Sequence, residues 1–390
     1  MSSTLLVKSL IAILGIGLII FAFLFFKKKR KEIALLAVSI GIAIIASEFL
    51  LRIFLPQTNN RNKMFEYDPT LGWKFISNAK GEVSYPGGIR SLETNSMGFR
   101  DHAPLSHKKR KLLVLGDSFV SNISVKDDEV FTEIMEDQLK KFDVLNFGVD
   151  GYGQVQEYLL VEQLIKTIKP DMVLLIVYVQ NDFTDNVGPY WPYLRPYASL
   201  EGKDSTLVIH PLLKNQGDKN PTDSRSIFSK SHLNILITRS LNKLFRKTTH
   251  SDIPEFYSCQ YPNPERQDLM FRIMGELLIK IANLGKENDV PVVFALAPSN
   301  VQIEDELWAS FLKAYQTNQR KYLRSLPNDR LMEFAKRNDL LMLDLFPRLL
   351  QENKKNAKLY SPIDLHWTKE GNRVIAGSLI DYLKSKSLIE

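Results

Sequence analysis

The sequence predicts an α/β chain: a three-layer sandwich around a mostly parallel sheet, preceded by an N-terminal pair of membrane-spanning helices. Three observations predict it. From residue 111 onward, short apolar runs without polar alternation take turns with longer amphipathic stretches, the rhythm of strands buried on both faces and joined by crossover helices. The first 55 residues hold two long apolar runs separated by a basic knot. The 390-residue length, 44% hydrophobic and 24% charged, accommodates one enlarged globular domain and rules out wholesale disorder or collagen-like repeats.

From Leu5 to Phe26 the only ionisable side chain is Lys8, and at helical rise this run crosses a hydrocarbon core of about 30 Å. Lys27, Lys28, Lys29, Arg30 and Lys31 follow, then a second apolar run from Ile33 through Ala46 that reaches Leu55. Residues 1–55 therefore read as a transmembrane hairpin with a basic loop at 27–31. Glu48 and Arg52, four apart, can pair on one face and lower the cost of charge there. A cleaved signal peptide competes with this reading, but its basic region should precede the apolar run, and no small-residue cleavage site follows Phe26. A buried core helix is the alternative for the second run. Basic loops stay cytoplasmic, so the hairpin would set the N-terminus and everything after Leu55 on the outer side of an inner membrane. A single span would reverse that. The loop also matches in number five of the seven net positive charges, so the pI of about 9.1 does not call for nucleic acid, and no recognition motif accompanies it.

Residues 56–110 form an approach segment rich in Gly, Pro, Asn and Ser, expected as loop with short strands. The domain proper, 111–390, opens with a strand at Leu112 to Leu115, a helix from Asp128 to Leu139 with acids in its first turn, a strand at Val144 to Phe147 and a helix from Gln154 to Ile168. Met172 to Val179 is the strongest strand and is expected centrally. An insertion at about 183–267, expected over one edge of the sheet, interrupts the alternation. A helix over about 268–286, a strand at Val292 to Leu296, mostly helix from Glu304 to Arg337, a strand at Leu341 to Leu345 and a helix from Gly371 to Ser385 complete the pattern.

Ligands of open parallel sheets gather beyond the carboxyl ends of the strands. There the sequence places Gly116, Asp117 and Ser118, then Gly148, Val149, Asp150 and Gly151, then Gln180, Asn181 and Asp182, and, before the last helix, Asp364 and His366. This set suits acyl transfer. A serine hydroxyl needs an imidazole as base, and the imidazole needs a carboxylate to fix its tautomer, roles that Ser118, His366 and Asp364 fill. The tetrahedral oxyanion needs preorganised donors, which the Ser118 N–H, the Gly151 N–H and the Asn181 amide would supply. Gly148 and Gly153 compete with Gly151 for that position. Read blandly, Ser118 caps a helix, Asn181 and Asp182 cap a strand exit, and Asp117 stabilises a turn.

These four ordered blocks resemble the SGNH subgroup of the GDSL-type hydrolases over roughly residues 111 to 385, and Leu71 to Trp73 with Asn95 to Asp101 are similar to the approach segment of membrane-tethered members. The resemblance implies a flavodoxin-like sheet, a serine nucleophile, no metal, no cofactor, and ester hydrolysis or acyl transfer on lipid or carbohydrate. The chain departs from that pattern twice. Val179 stands where the third block usually has Gly, and the triad acid falls two residues before His366, at Asp364, because Ile363 occupies the position three before.

The sequence thus leads to a serine-dependent ester hydrolase or O-acyltransferase acting on a cell-envelope glycan or lipid ester. Its partners would be that substrate and the bilayer. The rival is a membrane-anchored glycan- or partner-binding protein with a vestigial hydrolase domain. His102, His107, His210, His232 and His250 lack partner spacing and receive no role. Trp191, Tyr190, Tyr193 and Tyr197 in the insertion are candidates for a substrate wall or for packing on the sheet. Cys259, the single cysteine, can close no intramolecular disulfide and no Cys-cluster zinc site.

Overall fold

The structure is a computed structural model that describes residues 29–54, 64–85, 88–100, 109–188, 195–202, 205–212, 231–234, 236–237, 257–316 and 321–390. These fall into two compact units, one drawn from 1–58 and 224–248, the other from 59–223 and 249–390.

The smaller unit is built on a 25-residue helix, Arg30–Phe54. Its stretch Ala34–Phe54, 21 residues with a mean hydropathy of 2.3, is long and apolar enough to cross a membrane, and none of it is buried by protein. The first apolar run, Leu5 to Phe26, lies outside the described residues, so the hairpin rests on sequence alone. Arg52 pairs with Glu48 at 2.9 Å, as the spacing predicts. The Glu48 carboxylate also accepts the Ser231 hydroxyl at 2.9 Å and the His232 and Leu233 N–H groups at 3.0 and 2.9 Å. It thereby satisfies orphan donors at the start of the short helical segment that follows.

The larger unit contains a five-stranded sheet: β1 Arg110–Gly116, β2 Phe142–Gly148, β3 Met172–Tyr178, β4 Val292–Ala297 and β5 Leu341–Asp344, in the order β2, β1, β3, β4, β5. Every pairing is parallel. Register sets Leu113 beside Leu145 and Val173, and Ala295 beside Ile176 and Leu343. Successive side chains point to opposite faces. Leu113, Leu115, Val173, Leu175 and Phe294 thus pack on one side against helices Gln154–Ile168 and Glu265–Glu287. Leu112, Val114, Leu174, Ile176 and Val293 pack on the other against Phe131–Gln138, Phe346–Asn353 and Lys369–Ser385. The result is a three-layer sandwich with β3 at its centre, in the strand order of flavodoxin-like sheets.

Three local differences from the sequence pattern have physical causes. Val130 is extended, so the expected Asp128 helix divides into a 3₁₀ turn at Asp127–Glu129 and the helix Phe131–Gln138, whose first N–H is taken by Asn372 Oδ1 at 2.9 Å. The stretch expected as mostly helix from Glu304 to Arg337 contains Asp305–Tyr315 and Leu326–Arg337, the latter restarted by a proline in its first turn. In the insertion, strands Tyr197–Glu201 and Thr206–His210 form an antiparallel hairpin. Its Ala198 packs on Val155, Ile273 and Leu277, and so on helices rather than a sheet edge. The approach segment folds as two antiparallel hairpins, Phe65–Asp68 with Gly72–Phe75 and Lys80–Tyr85 with Gly88–Glu93, whose Trp73, Phe75, Val83 and Leu92 join the core.

Candidate active site

β1 and β3 are neighbours whose chains leave toward opposite sides, the topological switch point of this sheet order. Ser118 follows β1 as the first residue of a one-turn helix, Ser118–Ser121. Asp117 is its cap, accepting the Phe119 N–H at 2.8 Å, so the bland capping role belongs to Asp117 and the Ser118 side chain stays available. Burial pushes the Asp117 carboxyl up to about 6, although the Phe119 N–H and His366 act in the opposite direction. Ser118 Oγ lies 2.8 Å from His366 Nε2, across 248 residues of sequence.

Asp364 stands on the far side of the imidazole, with its Oδ2 at 3.8 Å from His366 Nδ1. That is ion-pair range, longer than a hydrogen bond, and Nδ1 has no hydrogen-bond partner among the described residues. The carboxylate receives the Ser124 hydroxyl instead, together with the backbone N–H of His366 at 3.4 Å. Burial works to raise the Asp364 carboxyl, but the nearby His366 ring and the Ser124 hydroxyl outweigh it and hold the group well below the usual carboxylate range. Leu365 sits between acid and base at φ +67°, the left-handed region, which turns the chain sharply enough for both to face one site.

The three candidate glycines differ in what surrounds them. A Cβ on Gly148 would fall 2.3 Å from the Ser121 nitrogen, and one on Gly153 would fall 2.9 Å from the side-chain oxygen of Asn186, so neither position has room for a side chain as packed. Gly151 is different: it adopts φ +78°, and a Cβ there would meet only the Trp73 ring at 3.6 Å. The Gly151 and Ser118 backbone N–H groups have no partner among the described residues. Asn181 lies three residues past the end of β3 and donates its Nδ2 to Asp185 Oδ2 at 2.7 Å. Asp182, beside it, is fully buried and accepts the Tyr178 N–H at 2.8 Å and Gln154 Nε2 at 2.6 Å, so it braces the turn. Burial raises its carboxyl well above the usual range, and Asp117 and Glu157 nearby add to that.

Sequence reasoning passed over four side chains that hold the site. Arg100, 3% exposed, donates to the carbonyls of Ser121, Asn122 and Val125 and to the Asp127 carboxylate. It thus clamps the loop that carries Ser124. Arg195, 2% exposed, pairs with Asp185 at 3.0 Å and donates to the Gly151 carbonyl at 3.1 Å. Burial raises the Asp185 carboxyl against the opposing pull of Arg195. The conspicuous position of Arg100 in the Asn95 to Arg100 segment was a signal; Ser124, Asp185 and Arg195 carried none. Trp191, Tyr190 and Tyr193 lie outside the described residues, and Tyr197 stacks on His210, 4.5 Å away in its own hairpin. Among the described residues no group of three or more His, Cys, Asp or Glu is placed to hold a metal ion.

No family model and no curated protein matches the chain. Solved structures similar to it include a member of the lipolytic protein G-D-S-L family from Veillonella parvula, at 12% identity and a TM-score of 0.39 over 70% of this chain and 97% of that one. The acetyl xylan esterase AlAXEase is 13% identical, with a TM-score of 0.38 over 70% of this chain and 98% of that one. The psychrotrophic esterase EstA from Pseudoalteromonas sp., solved with monoethylphosphonate as inhibitor, is 10% identical, with a TM-score of 0.34 over 71% and 98%.

Proposed function

We propose that this chain is a serine-dependent ester hydrolase or O-acyltransferase of the SGNH type. It would be anchored in a bacterial-type inner membrane with its α/β domain on the outer side, and would act on an acyl ester of a cell-envelope glycan or lipid. The observation that carries the reading is the 2.8 Å contact between Ser118 Oγ and His366 Nε2 at the switch point of the sheet. His366 takes the hydroxyl proton as Ser118 attacks the ester carbonyl, and Asp364 stabilises the imidazolium. The oxyanion meets the N–H groups of Ser118 and Gly151 and the amide of Asn181. As the tetrahedral intermediate collapses, the carbonyl–oxygen bond to the leaving alcohol breaks and His366 returns the proton to that alcohol. Water, or an acceptor hydroxyl, then attacks the acyl-serine with His366 again as base, and as that second intermediate collapses the acyl carbon–Oγ bond breaks and His366 returns the proton to Ser118.

In membranes carrying the full chain, a fluorophosphonate probe should label Ser118, and Ser118→Ala should abolish both labelling and turnover of a short-chain nitrophenyl ester. Turnover that survives the substitution overturns this mechanism. Products formed with and without candidate acceptor glycans separate hydrolase from transferase. The 3.8 Å gap between His366 and Asp364 favours a second reading, a non-catalytic binding protein with a vestigial site. A wild-type chain that resists the probe at high concentration would support it.

A further inference from the structure

The two outlying donors of the proposed oxyanion hole, Gly151 and Asn181, sit on different loops, after β2 and after β3. One ion pair touches both. Arg195 Nη1 donates to the Gly151 carbonyl at 3.1 Å and to Asp185 Oδ1 at 3.0 Å, and the other oxygen of that carboxylate accepts Asn181 Nδ2 at 2.7 Å. We infer that Arg195 and Asp185 are a positioning pair for the oxyanion hole, reaching into it from the start of the insertion; this rests on the esterase reading above.

The Asn181 amide carries two N–H bonds. Asp185 takes one, which fixes the rotation of the side chain and leaves the second aimed by that constraint. A carboxylate so close to the site would by itself oppose a developing oxyanion, and the Arg195 guanidinium cancels its charge. Gly151 is held from both sides of its α-carbon. The carbonyl of the preceding peptide, Asp150 O, accepts Trp73 Nε1 at 3.0 Å, and that peptide contributes the N–H of Gly151. The carbonyl of the following peptide accepts Arg195, whose guanidinium lies 5.8 Å from the centroid of the Trp73 ring. A residue at φ +78° with room around it needs such restraint to present its N–H in one direction. The approach segment and the insertion thus meet on the same glycine.

The test is steady-state kinetics of the full chain in detergent with a nitrophenyl ester, comparing wild type with Arg195→Gln, Arg195→Lys, Asp185→Asn and the Asp185→Asn/Arg195→Gln double variant. Arg195→Gln should lower kcat about 10- to 100-fold, with KM changed by less than about threefold, because the donors act on the transition state. The double variant, which buries no unpaired charge and keeps a neutral donor and acceptor, should recover most of the lost kcat, and Arg195→Lys part of it. A wild-type kcat in Arg195→Gln overturns the inference. So does a loss of rate that follows melting temperature with no recovery in the double variant, since that is the behaviour of a merely structural pair. Failure of the esterase reading is distinguishable, because the wild type would then show no Ser118-dependent turnover, and both proposals would fall together.

Discussion

Replacing Arg100 by Met tests how the loop of the proposed nucleophile is held. The guanidinium makes hydrogen bonds of 2.7, 2.5 and 2.8 Å to the carbonyls of Ser121, Asn122 and Val125, and bonds of 2.9 and 2.6 Å to Asp127 Oδ1. Methionine fills similar volume and satisfies none of them. Each carbonyl left unsatisfied costs about 1–3 kcal/mol, but the simple sum overestimates the loss because the loop can relax toward water. Asp127, whose side chain is 34% exposed, turns to water once the guanidinium is gone, so the carbonyls decide and we expect a loss of about 3–5 kcal/mol for Arg100→Met. Lysine delivers the charge without the planar fork, so Arg100→Lys should lose about half as much. For a domain of this size each kcal/mol moves the melting temperature by roughly 2–4 °C, so the Met variant should melt roughly 10 °C lower. Thermal unfolding of the full chain in detergent, followed by near-ultraviolet circular dichroism, reads this directly. The same loop carries Ser124, whose hydroxyl binds Asp364, so ester turnover should fall as well, even at temperatures where the variant is folded. A melting temperature within about 2 °C of wild type would refute the clamp.

Asp364→Asn should reduce kcat by about 10²- to 10⁴-fold, since Asn cannot stabilise the imidazolium; an unchanged rate would place the triad acid elsewhere. Gly151→Ala should cost about 1–2 kcal/mol in urea unfolding, from the left-handed backbone alone, because the added methyl meets the Trp73 ring only at 3.6 Å. A loss much larger than that would show steric conflict instead. The Asp117 carboxyl is raised to about 6, so between roughly pH 4 and that value the folded chain keeps a proton that the unfolded chain has lost. Stability from this group therefore declines as pH rises through that window. Asp117→Asn keeps an acceptor for the Phe119 N–H and should flatten the slope in unfolding measured at pH 4, 5 and 6; an unaltered slope contradicts the assignment. In the smaller unit, Glu48→Leu removes the acceptor for Ser231, His232 and Leu233 and should speed proteolytic cleavage at residues 231–234 of the full chain in detergent, whereas an unchanged cleavage rate would deny Glu48 that role.

The sheet was legible in the sequence because its strands are buried on both faces. Met172 to Val179 is nearly all apolar, and such a run has its place in the middle of a parallel sheet. Helix Gln154–Ile168 was legible to both bounds, since Gly153 stops the preceding loop and the apolar spacing is regular. Helix Phe346–Asn353 went unrecognised: its eight residues have a proline in the first turn and only two buried side chains, Phe346 and Leu349. The four blocks were legible because chemistry restricts the residue types at strand ends. The supports were not. Nothing local marks Arg195 as buried, since a lone arginine after a run of aromatic and proline residues reads as solvated surface. Its burial depends on Asp185, Gly151 and Trp73 converging from three other segments, and pairing at that range is set by the tertiary fold.

The same logic explains how a serine and a histidine 248 residues apart stay within 2.8 Å when Asp364, the proposed acid, makes no hydrogen bond to the imidazole ring. The residues next to each of them fasten the two loops together. Asn122 donates to the Trp367 carbonyl at 3.1 Å, and Asn372 donates to that carbonyl at 3.3 Å while its Oδ1 holds the Phe131 N–H. Trp367 is fully buried, edge-on to Phe119 at 4.9 Å and to Phe131 at 5.9 Å, and Phe119 also lies against the His366 ring at 4.9 Å. Ser118 is therefore positioned by Phe119 and Asn122, and His366 by Trp367, each through the backbone it shares with a packed neighbour. Such an arrangement fixes the backbone beside the imidazole and leaves the side chain to turn about its own bonds, the motion that closing the 3.8 Å gap to Asp364 requires. An ester or phosphonate bound at Ser118 should draw Nδ1 within hydrogen-bonding distance of Asp364 while the Asn122 and Asn372 contacts stay unchanged. A structure of the phosphonylated chain in which those asparagine contacts break instead would refute this division of labour.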